Sequence, residues 1–100
     1  MKVYLAGPMR GIPDHNKAAF AQAAERWRLA GHTVFNPASL KPGLTRRDYM
    51  IQDIKNLLKS EAVVVLRGWE DSEGASLTTL EVAIVQCLDI PIYYEEQYEP

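Results

Sequence analysis

MKVYLAGPMRG, residues Met1 to Gly11, is the stretch that decides the fold. Lys2 to Ala6 is a short apolar run that predicts a buried strand. A turn rich in glycine and proline follows it. The turn consists of Gly7, Pro8, Met9, Arg10 and Gly11. A strand that ends in such a turn and leads into a helix is the usual ligand position in an open α/β sheet.

The turn has features that suit an anion. Glycine lets backbone N–H groups come close to a bound group, and the Arg10 guanidinium adds charged donors. The stretch matches neither the GxGxxG fingerprint nor the P-loop. Taken alone, it fits a ligand-binding turn and an ordinary tight turn with a surface arginine equally well.

Length and composition indicate one domain over residues 1–100. Apolar residues make up 47% of the chain, charged residues 24%, and the net charge is −2, so the charge balance gives no reason to expect nucleic acid or a membrane as partner. Cys87 is the only cysteine, which excludes an internal disulfide and a cysteine metal cluster. No run approaches the ~20 apolar residues of a membrane span, and the N-terminus does not suit a signal peptide. We expect a cytoplasmic protein without metal or cofactor.

The rest of the chain alternates helices with strands. The predicted helices are Pro13 to Ala30, Arg46 to Lys59 and Ala75 to Leu88, and the predicted strands after the first are His32 to Phe35, Glu61 to Leu66 and Pro91 to Tyr94. Asp14 or Asn16 can cap the first helix and Gly31 stops it, while Thr45 caps the second.

This alternation predicts βαβ units with right-handed crossovers. We expect an α/β fold, a flavodoxin- or Rossmann-like three-layer sandwich with four parallel strands in the order 2-1-3-4 and helices on both faces. The order reverses between strands 1 and 3, so a ligand crevice is expected between the Gly7 loop and the loop after Leu66. Asn36, at the end of strand 2, should border it.

Two acidic residues, Asp53 and Glu81, lie on or beside helix faces that are otherwise apolar. The predicted apolar stripes are Met50, Ile54, Leu57 and Leu58 in the second helix and Leu77, Leu80, Ile84 and Leu88 in the third. A buried carboxylate without a partner is costly, so such positions need a reason. Asp53 could instead pair with a neighbouring arginine or lysine, and Glu81 could tilt toward solvent. Two carboxylates at one crevice are the equipment for glycosyl transfer, with a sugar or a nucleobase as leaving group.

Three stretches resemble the nucleoside 2-deoxyribosyltransferase superfamily. They are Tyr4 to Gly11, Asp53 eight residues before Glu61, and Gly68 to Ala75 ahead of a helix with a glutamate. The resemblance covers nearly the whole chain and is strongest to short, mostly uncharacterised members that phages often encode. It implies a nucleoside or nucleoside 5′-monophosphate as ligand, and a homodimer or larger homo-oligomer.

The resemblance also implies roles for single residues. Tyr4 matches the tyrosine that orients the nucleophile, and Asp53 matches the aspartate that contacts the nucleobase and acts as the acid. Glu81 is the candidate nucleophile. Arg10 and Ser72 match an arginine and a serine that help hold the phosphate in the branch that hydrolyses deoxynucleoside 5′-monophosphates.

The loop before the third helix completes the expected substrate-binding set. Trp69 could stack on a base or cover the core, and Gly74 ends the loop. The family's glutamate usually follows this glycine by four residues, which is the position of Thr78. Counted back from the turn before the last strand, Glu81 is in place. A three-residue extension between Gly74 and the helix would reconcile the two counts; without it the nucleophile is missing.

Two functions therefore remain open. The first is an N-glycosidase or deoxyribosyltransferase that uses Glu81 as nucleophile. The second is a nucleotide-binding or sequestering protein of the same fold without turnover. Only the first needs Glu81 in the crevice. The base, the sugar, and hydrolysis against transfer are not determined by the sequence.

Overall fold

The chain forms a four-stranded parallel sheet in the order β2-β1-β3-β4. The structure, a computed structural model, describes residues 1–9, 12–67 and 75–95, with side chains from 78 onward in the last range. The strands are β1 (Lys2–Ala6), β2 (Thr33–Phe35), β3 (Ala62–Val65) and β4 (Ile92–Tyr94), and the helices are α1 (Lys17–Leu29), α2 (Arg46–Leu58) and α3 (Ala75–Cys87). The predicted strand order and fold class are confirmed.

The two central strands, β1 and β3, are buried on both faces. Leu5 pairs with Val64, and all four residues of β3 are buried. An apolar, β-branched run of this kind is typical of a parallel strand covered by helices on both sides. The carboxyl ends of β1 and β3 therefore lie side by side, where the strand order reverses.

Alternating residues of the strands divide the interior into two layers, because successive side chains of a strand point to opposite faces. Val3 and Leu5 pack with Phe20 and Trp27 of α1. Tyr4 and Ala6 face the other way, into the layer covered by α2 and α3, with Leu57, Val63 and Val85. Tyr4 is therefore the residue of β1 that can meet side chains from both of these helices.

The first helix begins later than predicted. Pro13–Asn16 form a separate short turn, in which Asp14, His15 and Asn16 have φ of 54°, 53° and 61°. These are left-handed values, which a right-handed helix cannot include. The predicted side-chain cap is also wrong, because the Asn16 amide donates to the Pro8 carbonyl oxygen at 2.9 Å instead. This bond ties the start of α1 to the turn after β1.

The other predicted helix boundaries hold to within one residue. Gly31 follows α1 with φ of 97°, which suits a glycine that ends a helix. Thr45 Oγ1 accepts a hydrogen bond from the Asp48 backbone N–H at 3.1 Å and so caps α2 as expected. In the described part of the chain, no helix combines the length and the apolar character needed to cross a membrane.

The predicted apolar stripes are partly wrong. Leu58 of α2, Leu80 of α3 and Leu88, the residue after α3, are about half exposed. The buried positions are Asp53 and Leu57 in α2, and Thr78, Glu81, Val82 and Val85 in α3. The reason in α3 is that apolar residues lie nearly all round the helix, so periodicity alone cannot select the face that meets the sheet.

Candidate active site

Tyr4 and Glu81 form the centre of the candidate site. The Tyr4 hydroxyl donates a hydrogen bond to Glu81 Oε2 at 2.5 Å. Tyr4 is 1% exposed and Glu81 is 3% exposed, so the pair is held away from solvent. A hydrogen bond to a carboxylate is stronger than one between neutral groups. The bond therefore holds the Glu81 carboxyl in one position over the middle of β1.

Asp53 brings a second carboxyl group to the same layer from α2. It is 7% exposed, and its negative charge raises the pKa values of both Tyr4 and Glu81. Asp53, Tyr4 and Glu81 are therefore electrostatically coupled. The structure thus places Tyr4 and Glu81, two of the three residues predicted to be catalytic, in direct contact, and couples the third, Asp53, to both through its charge.

Burial shifts the pKa values of all three groups. It raises the pKa of Asp53 from its ordinary 3.8 to about 6. The pKa of Glu81 rises from 4.5 to about 7. Burial is the main cause, and the charge of Asp53 acts in the same direction, whereas the hydrogen bond from Tyr4 lowers the pKa. Burial, followed by the charges of Glu81 and Asp53, holds the pKa of Tyr4 far above its usual range. Tyr4 therefore stays protonated and acts only as a donor to Glu81.

Two features of the site were not expected from the sequence. The first is Thr78, which is 1% exposed. Its Oγ1 has no hydrogen-bond partner among the described residues, and neither has Oδ1 of Asp53. The second is Phe35 of β2, whose ring stacks on that of Tyr4 with centroids 5.4 Å apart. The spacing of Thr78, three residues before Glu81, was the available signal, because residues three apart share a helix face.

The turn after β1 is built around close packing. A Cβ atom on Gly7 would lie 2.9 Å from Leu66 Cβ, so only glycine lets the ends of β1 and β3 approach as they do. Pro8 is buried, and Met9 packs against the α1 side of the core. These three residues remain candidates for ligand binding through their backbone.

The remaining predicted binding residues divide into two groups. Asn36 lies at the end of β2, where its Oδ1 accepts a hydrogen bond from the Ala38 backbone N–H at 2.9 Å. The others lie outside the described residues: Arg10, Gly11, Trp69, Ser72 and Gly74. The structure therefore describes the part of the site with Tyr4, Asp53 and Glu81. The part expected to bind a phosphate, with Arg10 and Ser72, lies outside the described residues.

The start of α3 bears on the spacing between Gly74 and Glu81 in the sequence. Helix α3 begins at Ala75, directly after Gly74, so an extension between the glycine and the helix is the wrong explanation. Glu81 lies in the second turn of the helix, on the face that meets Tyr4. Thr78 occupies the same face one turn earlier.

The fold and the coupled carboxylates define the class: a small doubly wound α/β protein with a buried acidic site beside its strand-order reversal. Within that class, the chain belongs to a family described as a domain of unknown function, DUF4406, whose model matches residues 1–94. No curated protein matches the chain.

A solved structure with a similar fold is the 2-deoxyribosyltransferase from the psychrotolerant bacterium Bacillus psychrosaccharolyticus. The two structures superpose with a TM-score of 0.73 at 23% sequence identity. The match covers 94% of this chain and 71% of that chain. The comparison establishes a shared fold.

Proposed function

We propose that the protein cleaves or transfers the N-glycosidic bond of a nucleoside or nucleoside 5′-monophosphate. The observation that carries this proposal is the buried hydrogen bond from Tyr4 to Glu81, with Asp53 coupled to both. A structural protein gains little from burying two carboxyl groups, because each loses its hydration. The fold shared with a 2-deoxyribosyltransferase supports the same reaction class.

The proposed reaction has two steps, formation of a bond between Glu81 and the sugar and its later release. In the first, a Glu81 carboxylate oxygen bonds to C1′ of the sugar as the bond from C1′ to the base nitrogen breaks, and the Asp53 carboxyl gives its proton to the departing base. In the second, water or another base attacks C1′ and releases Glu81, while Asp53 takes up the proton of the attacking group. Water yields the free sugar, and a base yields a new nucleoside.

The raised pKa values leave a single proton on the two carboxyl groups between about pH 6 and 7. Glu81 must be ionised to attack, and Asp53 must be protonated to donate. Because Glu81 has the higher pKa, this arrangement is the less populated of the two one-proton states, and the reaction proceeds from that fraction. We expect a bell-shaped profile of kcat/KM against pH, with its maximum between these two values.

The test is release of free base by purified wild-type protein and by Glu81→Gln. The probes are the four common ribonucleosides, their 2′-deoxy counterparts and the 5′-monophosphates of both. Glu81→Gln should abolish release and leave binding of the probes nearly unchanged, since loss of a nucleophile acts on the chemical step. Glu25→Gln, at an exposed position of α1, is the matched control and should retain activity.

The alternative function gives a different result in the same assay. A nucleotide-binding or sequestering protein binds one of these probes and releases no base, whatever residue occupies position 81. Wild-type turnover that survives Glu81→Gln contradicts the assignment of the nucleophile.

We further propose a 5′-monophosphate as the preferred ligand and a homo-oligomer as the assembled state. The first rests on Arg10 and Ser72 in the sequence. The second rests on the small core of a 100-residue chain. Large apolar side chains on α2, on α3 and directly after α3 also remain exposed: Ile51, Leu58, Leu80 and Leu88. The mass from light scattering after size-exclusion chromatography tests the assembly, and a monomer contradicts it.

A further inference from the structure

Two buried oxygen atoms of the site have no hydrogen-bond partner among the described residues: Thr78 Oγ1 and Asp53 Oδ1. An unpaired buried polar atom destabilises a fold because it loses its hydrogen bonds to water, so native proteins rarely keep one without a reason. The proposed reaction uses Asp53, whose carboxyl meets the leaving base. It gives no role to Thr78, although Thr78 is 1% exposed.

Thr78 lies nearer than Glu81 to the N-terminus of α3. It precedes Glu81 by three residues in α3, which places it on the same helix face about 4.5 Å closer to the helix N-terminus. In a parallel sheet with helical crossovers, the helix N-terminus lies at the carboxyl edge of the strands, where ligands enter. A sugar that enters from this edge and brings its C1′ to Glu81 therefore passes Thr78, which lies between the edge and Glu81 along the helix.

We propose that the Thr78 hydroxyl binds the 2′-hydroxyl of the sugar, and that the protein prefers ribonucleosides or their 5′-monophosphates over the 2′-deoxy compounds. This inference rests on the proposed function, with Glu81 as nucleophile. An attacking oxygen must approach C1′ to about 3–3.5 Å. The sugar hydroxyl nearest to C1′ is the one on C2′, so a polar group next to Glu81 on the same helix face meets it first.

The preference follows from the cost of an unmade hydrogen bond. A 2′-deoxy sugar leaves Thr78 Oγ1 buried and unpaired, whereas a ribose supplies the missing partner. A site built to bind a substrate hydroxyl rejects the analogue without it far more strongly than an apolar pocket rejects an added group. We expect kcat/KM to be higher for a ribonucleoside than for its 2′-deoxy counterpart by about tenfold or more.

The experiment compares wild type with Thr78→Val, which keeps the shape of the side chain and removes the hydroxyl, and with Thr78→Ser, which keeps the hydroxyl. Thr79→Val is the matched control, because Thr79 is exposed on the same helix. The probes are adenosine, guanosine, cytidine and uridine with their 2′-deoxy counterparts, each with and without a 5′-phosphate. Both kcat/KM and binding are measured.

Thr78→Val should lower kcat/KM for the ribonucleoside, leave the deoxynucleoside nearly unchanged and so remove most of the preference. Thr78→Ser and Thr79→Val should keep it. The inference is wrong if Thr78→Val slows both sugars equally, or if wild type shows no preference for ribose. The second outcome is measured on wild type and does not depend on whether a variant folds.

The outcomes also separate this inference from the proposed function. Cleavage without a sugar preference leaves the function standing and removes the role of Thr78. Tighter binding of ribonucleosides that depends on Thr78, without cleavage, leaves the sugar recognition standing and removes the function. A protein that neither binds nor cleaves any probe contradicts both.

Discussion

Tyr4 and Glu81 are 77 positions apart in the chain, and the Tyr4 hydroxyl donates to Glu81 Oε2 at 2.5 Å. The hydrogen bond joins the central strand β1 to the middle of α3. It lowers the pKa of Glu81, while burial and the charge of Asp53 raise it. The balance leaves Glu81 partly ionised near neutral pH, as a nucleophile requires.

Tyr4→Phe should therefore raise the pKa of Glu81 further, because the carboxylate loses its donor while its burial stays. The limb of the pH profile that reports Glu81 should move to higher pH, and kcat/KM near neutral pH should fall by about tenfold or more. The measurement is kcat/KM from pH 5 to 9. Tyr49→Phe, which removes the hydrogen bonds that the Tyr49 hydroxyl donates to the Lys41 carbonyl oxygen and accepts from the Leu44 backbone N–H, should leave the profile in place. An unshifted profile for Tyr4→Phe contradicts the role assigned to this bond.

Asp53→Asn should slow poor leaving groups more than good ones. An amide cannot give a proton to the departing base, so an ordinary nucleoside should lose about a hundredfold or more in rate. A nitrophenyl glycoside of the same sugar, whose leaving group needs no proton, should lose far less. Steady-state rates of the two substrates with both proteins test this. Equal slowing rules out Asp53 as the acid.

The stability of the fold should fall as pH rises through the range of the two raised pKa values. Asp53 and Glu81 have pKa values of about 6 and 7 in the folded protein, above their ordinary 3.8 and 4.5. The folded state therefore binds more protons than the unfolded state between about pH 4 and 7, and its stability decreases with pH there. Asp53→Asn should flatten this decrease and raise Tm above pH 7.

Thermal unfolding at half-unit steps from pH 4 to 8 provides the measurement. Asp89→Asn, at an exposed position after α3, is the control and should follow the wild-type curve. If the curve of Asp53→Asn runs parallel to that of wild type, burial of this carboxyl has no energetic effect.

Gly7→Ala should destabilise the fold by about 1–3 kcal/mol, the usual cost of overpacking. The added Cβ would meet Leu66 Cβ at 2.9 Å, and that atom is fixed by the backbone and cannot swing aside. Urea unfolding measures the change. Gly43→Ala is the comparison, since no atom lies within 4 Å of its added Cβ and only its left-handed φ of 91° opposes the substitution. A smaller loss for Gly7→Ala than for Gly43→Ala contradicts the close approach at Leu66.

Arg10→Ala should erase the preference for a phosphorylated ligand. A charge-assisted hydrogen bond contributes about 1.5–3 kcal/mol, so a 5′-monophosphate should bind wild type more tightly than the bare nucleoside by that amount. Titration of a nucleoside and its monophosphate against both proteins measures the difference. Binding of the two ligands to wild type with equal affinity means that Arg10 does not hold a phosphate.

The order of the elements could be predicted from the sequence because short-range patterns determine it. The apolar run of β3, the cap at Thr45 and the stop at Gly31 each act within a few residues. The alternation of strands and helices then leaves few topologies, of which the observed one is the simplest. The same patterns marked Asp53 and Glu81, because a carboxylate on an apolar helix face has a cost that is visible in the sequence.

Tertiary structure alone decided which face of α3 is buried. The leucines at 80 and 88 compete with Thr78, Glu81 and two valines, and local spacing favours the leucines. The packing of α3 on the sheet, together with the hydrogen bond from Tyr4, selects the other face. The burial of the Thr78 hydroxyl without a partner among the described residues has the same origin, and so does the late start of α1. Both depend on contacts between residues that are distant in the chain or belong to separate elements. Local sequence patterns do not report the energies of such contacts.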